Sequence, residues 1–232
     1  MNSLLLLLAL FSSPLRTDTL HSPDGSGTGL WVPAGNGHHP LVIWLHGGLG
    51  ANNPQKGIAA ASNMAATWGD SGAFALLAPS AWPAAPWWSD DAAVRVAQLI
   101  DSASHKPGVD GTRLIFAGVS DGGIGALWLA ARLRSRLGKR IKGVAVWSCD
   151  PDVLTSQGGT WTPKALKGVP VRWTAGGKDH LFPLEQIHGW WARCAKEGLV
   201  IETHEDPEAD HDLMFHKLDV AKFPAWTRRI VK

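Results

Sequence analysis

The chain has 232 residues, of which 45% are hydrophobic and 18% charged, with a formal net charge of +2. That length and apolar fraction suit one compact domain with a sizeable core, and the small charge excludes a general electrostatic case for a nucleic-acid partner.

In chain order, the run from Leu4 to Phe11 followed by Ser12 and Ser13 is too short to span a bilayer and reads as a secretory h-region. It predicts a leader over residues 1–13, a secreted or periplasmic location, no stable membrane span after processing, and a single domain over 26–232. Apolar runs predict strands over 29–33, 40–45, 73–78, 114–119, 143–147, 169–174 and 199–203; most are continuous, as in strands covered on both faces. Between them, helical spacing predicts helices over 58–68, 90–104, 123–137 and 184–196, with a last one over 213–229. Strand and helix alternate, so the expected fold is α/β: a doubly wound, mostly parallel sheet with helices on both faces and ligands bound at the C-terminal rim of the strands. The cations Arg132, Arg134, Arg136, Lys139, Arg140 and Lys142 are read as helix-closing charges, favoured by the helix dipole.

Gly118-Val119-Ser120-Asp121-Gly122 lies between a predicted strand and a predicted helix, which is the setting of a nucleophile elbow. A serine at the apex of so sharp a turn needs small neighbours two positions away on either side, because the strand and helix backbones approach closely. Serine is a weak nucleophile at neutral pH, so it needs a histidine base and a carboxylate that holds the histidine's tautomer. Asp179 follows the strand at 169–174 and sits on the catalytic rim; His211 follows the strand at 199–203, with His204 and His216 as competing bases. The oxyanion of acyl transfer needs backbone donors, predicted at the amide of Asp121 and at Gly48 or Leu49 in His46-Gly47-Gly48-Leu49-Gly50.

Thirteen tryptophans accompany no tyrosine. Trp82, Trp87 and Trp88 fall in a rim loop and Trp147 ends a rim strand, so all four are candidates for substrate binding as well as for packing; Trp190 and Trp191 read as core. Cys149 and Cys194 permit one bridge or two separate buried thiols; a bridge closing a loop of roughly 45 residues would contribute about 3–4 kcal/mol. His38-His39 and Asp210-His211-Asp212 lack metal-ligand spacing, and no phosphate-cradling glycine loop follows a strand, so neither metal nor cofactor is expected.

Residues 40–50, the elbow at 118–123, Ala175 to Asp179 with Pro183, and the late His211 together resemble the alpha/beta-hydrolase superfamily. Within it they are most similar to the compact carboxylesterase, phospholipase/carboxylesterase and dienelactone-hydrolase-like group, which also includes feruloyl-esterase-like and polyhydroxybutyrate-depolymerase-like members. The resemblance implies a Ser120–His211–Asp179 triad, hydrolysis of small ester substrates through an acyl-enzyme, and, for want of a long insertion between Trp147 and Val169, a minimal fold with an open site and no cap domain. Serine where dienelactone hydrolases typically carry cysteine favours plain esters. A polyester depolymerase, small lipase or peptidase would use the same atoms. The alternative from another class is an idle hydrolase scaffold serving as a tryptophan-rich carbohydrate-binding or interaction module.

Overall fold

The computed structural model describes residues 16–21, 25–48, 53–81, 86–212 and 217–232; the predicted leader, Leu49, Trp82 and His216 lie outside them. The strands are β1 (Arg16–His21), β2 (Gly27–Val32), β3 (His39–Leu45), β4 (Ala75–Ala78), β5 (Val109–Val119), β6 (Ile141–Trp147), β7 (Val171–Gly176) and β8 (Ile201–Asp206). They form one sheet in the order β1-β2-β4-β3-β5-β6-β7-β8. From β4 onward every pairing is parallel, whereas β1 pairs with β2 and β2 with β4 antiparallel. The helices are α1 (Lys56–Trp68), α2 (Asp90–Ser104), α3 (Asp121–Arg132), α4 (Arg134–Leu137), α5 (Asp152–Ser156), α6 (Leu184–Lys196) and α7 (Lys217–Ile230).

Period-two alternation sends the side chains of each central strand into two separate cores. Leu41, Ile43, Leu45, Leu114 and Phe116 pack with Val96 of α2, Ile124 of α3 and Ile187 of α6. Val42, Trp44, Ile115 and Ala117 pack on the other face with Met64 and Trp68 of α1 and with Phe223 and Trp226 of α7. This is the doubly wound arrangement, and it explains why the strands read as unbroken apolar runs: both faces are covered.

Several boundaries differ from expectation for identifiable reasons. β1 extends the sheet to the N-terminal side of residue 26; its polar sequence, Arg-Thr-Asp-Thr-Leu-His, is that of an edge strand and carries one apolar residue. α2 matches its predicted span, because Ser89 caps it by accepting from the Ala92 amide and Asp90 and Asp91 occupy its first turn. The predicted helix over 123–137 is two helices, α3 and α4, meeting at Leu133. Its arginines bridge elements as well as closing a helix: Arg132 pairs with Asp90, Arg136 with Asp101, and Arg134 donates to the carbonyls of Ala165 and Lys167. Between β6 and β7 the chain forms α5 and a short 3-10 turn, and Leu154, Trp161 and Leu166 pack into the core. No helix among the described residues is long and apolar enough to cross a membrane.

Cys149 and Cys194 are free and buried, so of the two readings the separate thiols hold and the bridge falls. Burial pushes the Cys149 thiol well above its ordinary pKa and the Cys194 thiol up to about 12.

Candidate active site

β5 runs straight into α3 through Ser120, whose backbone is held at φ 55° and ψ −126°. That is a left-handed conformation rarely adopted by a residue with a Cβ. Its amide donates to the Trp147 carbonyl at 3.0 Å, and its carbonyl accepts from the amides of Gly123 (2.8 Å) and Ile124 (3.1 Å), so the turn is fixed from both sides. The glycine requirement is steric: a Cβ at Gly122 would lie 1.9 Å from the Leu45 carbonyl oxygen, and one at Gly118 would lie 2.3 Å from the Gly122 oxygen. The elbow brings Ser120 to the C-terminal rim with its hydroxyl facing His211.

His211 follows β8 and Asp179 follows β7. The two loops are tied by backbone bonds from Gly177 to the Asp206 carbonyl (2.7 Å) and from Lys178 to the Ala209 carbonyl (2.8 Å). His211 Nε2 lies 3.0 Å from Ser120 Oγ, and its Nδ1 lies 2.9 Å from Asp179 Oδ2. A carboxylate only accepts, so the proton sits on Nδ1, and Nε2 is left to accept from the serine hydroxyl. Asp179 is itself held: its Oδ1 accepts from the amides of Leu181 (2.9 Å) and Phe182 (3.0 Å), and its side chain is 1% exposed. The Phe182 ring packs edge-on against the His211 imidazole at 5.1 Å. The competitor His204 stands elsewhere, its Nε2 3.4 Å from Lys222 Nζ.

The glycine loop after β3 runs beside Ser120, since a Cβ at Gly47 would come within 2.9 Å of Ser120 Cβ. His46 braces it from within: Nδ1 donates to the Gly47 carbonyl at 2.9 Å, and Nε2 accepts from the Ala81 amide at 3.1 Å. Such a ring must be neutral. Burial lowers its pKa to about 4, against the opposing pull of the Gly47 carbonyl. Gly48 has φ +65°, and its carbonyl accepts from Lys56 Nζ at 2.8 Å. Partial burial lowers the Lys56 pKa, while the Asp121 charge opposes that shift.

A cavity of about 810 Å³ opens over Ser120, His211, Gly48 and Asp121. Its wall is mainly apolar, from Trp44, Met64, Val119, Leu181 and Phe182, with Lys56, Ala59, Ala60 and Asn63 of α1 along one side. Of the predicted tryptophans, the three that are described, Trp87, Trp88 and Trp147, do not line it. Trp87 is 0% exposed and its Nε1 donates to the His46 carbonyl at 3.0 Å; Trp88 is buried; Trp147 packs against Trp44, Trp68 and Phe223 with ring centroids 5.7, 6.2 and 5.1 Å away. Their indoles therefore build the core beneath the site. Sequence reasoning missed Trp44 and the α1 stripe, although 56, 59, 60, 63 and 64 share the spacing of one helix face. No group of three or more His, Cys, Asp or Glu among the described residues is placed to hold a metal.

These features define the alpha/beta-hydrolase fold, with Ser120, Asp179 and His211 on the loops after β5, β7 and β8. No protein-family model and no curated protein sequence matches the chain. Solved structures do. A thermostable esterase from Pseudomonas putida ECU1011 superposes with a TM-score of 0.72 at 14% identity, covering 94% of this chain and 83% of that one. One of two fungal esterases from Rhizomucor miehei gives 0.71 at 14% identity (94% and 84%), and a hyperthermophilic esterase from the archaeon Pyrobaculum calidifontis gives 0.67 at 16% identity (94% and 87%).

Proposed function

We propose that the chain is a serine esterase that hydrolyses carboxylic esters through an acyl-enzyme. The observation that carries this reading is the unbroken relay from Asp179 Oδ2 through His211 to Ser120 Oγ, at 2.9 and 3.0 Å, opening into a largely apolar cavity. In the first step His211 Nε2 takes the Ser120 proton as Oγ attacks the ester carbonyl, and Asp179 stabilises the imidazolium that forms. The oxyanion of the tetrahedral intermediate is received by backbone amides, at Asp121 on the first turn of α3 and at Gly48 or Leu49. His211 then returns the proton to the leaving alcohol. Water repeats the sequence on the acyl-enzyme, releasing the acid and restoring Ser120. Esterases among the structural neighbours support an ester as the substrate. The buried positions of Trp87 and Trp147 weigh against the tryptophan-rich binding module.

The test is hydrolysis of p-nitrophenyl esters from acetate to palmitate, with methyl ferulate alongside, by the wild-type chain and by Ser120→Ala. Wild-type turnover reduced by about 10⁴-fold or more in the variant is expected for loss of a triad nucleophile. Equal activity in both would refute Ser120 as the nucleophile.

A further inference from the structure

Three successive carbonyls after β3 each accept from a side chain: His46 from Trp87 Nε1, Gly47 from His46 Nδ1, and Gly48 from Lys56 Nζ. The first two donors are rigid rings packed in the interior. The third is a lysine that lines the catalytic cavity from α1. It stands at the first position of that helix, where the dipole disfavours a cation; Gln55 contributes no side-chain cap, and no acidic residue occupies the first turn. Helix stability therefore does not account for Lys56. Its bond to the Gly48 carbonyl, with the Asp121 charge across the cavity, does.

Resting on the esterase reading above, we propose that Lys56 is a positioning residue that sets the oxyanion loop. Gly48 has no side chain with which to be held, and its φ of +65° belongs to a conformation that glycine leaves easily. The Gly47 carbonyl is held by His46 and the Gly48 carbonyl by Lys56, so Gly48 is fixed from both sides before substrate arrives. That is the preorganisation on which oxyanion stabilisation depends. The contact is close: a Cβ at Gly48 would lie 3.0 Å from Lys56 Nζ.

Steady-state kinetics of wild type, Lys56→Met and Lys56→Arg on a short p-nitrophenyl ester test this. In Lys56→Met, kcat is expected to fall by about 10–100-fold, less than the 10²–10³-fold typical of losing a donor outright, because Gly48 remains but is held from one side only. KM should stay within about twofold, since the interaction strengthens only in the transition state. Lys56→Arg should recover most of kcat, and Tm should be alike in all three. Should Lys56→Met fail to fold, Lys56→Gln carries the same comparison. An unchanged kcat would overturn the proposal, as would a defect confined to KM and to esters bearing a carboxylate, which would make Lys56 a binding site for substrate charge. A wild-type chain inactive on every ester would instead sink the reading of the whole site, and the role of Lys56 with it.

Discussion

The strain at Ser120 can be weighed directly by comparing Ser120→Ala with Ser120→Gly. Both variants lose the hydroxyl and its bond to His211, so the difference between them isolates the Cβ at φ 55°, ψ −126°. A residue with a side chain held in such a region costs about 1–3 kcal/mol, which glycine does not incur. Against this, glycine gains more freedom in the unfolded chain, worth about 0.4–1 kcal/mol relative to alanine. Taking the middle of each range, Ser120→Gly should be the more stable by about 1.3 kcal/mol. For a chain of this length each kcal/mol moves Tm by about 2–4 °C, so the glycine variant should melt about 3–5 °C above the alanine variant. Thermal unfolding followed by circular dichroism measures this, with urea midpoints as an independent check. Both variants should be inactive. An alanine variant melting at or above the glycine variant would refute the claim that the elbow holds strain.

Gly189 is exposed within α6, and nothing lies within 4 Å of the Cβ it would carry. Gly189→Ala should therefore stabilise the chain by about 1 kcal/mol, and a Tm that failed to rise would contradict this. His46 binds protons less readily when folded (pKa about 4) than at its ordinary value of 6.5, so the unfolded chain holds more protons between these values. Stability present above pH 6.5 should thus decline as pH falls toward 4, by about 2–3 kcal/mol at pH 4.5 from this residue alone. Urea midpoints at pH 7.5 and 4.5 for wild type and His46→Gln measure it; equal acid sensitivity in both would show that His46 is not buried as a neutral ring.

Much of the fold was legible because the central strands are covered on both faces and so read as unbroken apolar runs. β1 was not, since an edge strand with one apolar residue leaves no such trace. The elbow and its partners were legible for a different reason: the glycines at 118 and 122 are demanded by backbone contact, and the positions of Asp179 and His211 follow from which strands end beside Ser120. For Trp87, Trp88 and Trp147 packing prevails over substrate binding, a choice left open because residue type does not give direction. Val146 and Trp147 are neighbours on β6, yet alternation sends Val146 to the face that carries α2 and α3 and Trp147 to the aromatic cluster on the other. Trp44, two residues before His46, shares the latter face and reaches the cavity wall.

The same steric logic explains why the site is built so largely from backbone. Because a side chain at Gly122 would strike the Leu45 carbonyl, the first turn of α3 rests directly against the end of β3. The amide of Asp121 belongs to that turn, and the loop at His46 to Gly48 leaves from that strand end. Whatever fixes one therefore fixes the distance to the other. Core packing sets this spacing, through Leu45 on β3 and Ile124 on α3, which lie in one hydrophobic cluster. Polar contacts then set only direction: His46 and Lys56 turn the loop carbonyls, and the Trp147 carbonyl holds the amide of Ser120. Trp147 thus serves the site through its backbone, while its indole stays buried with Trp44 and Phe223.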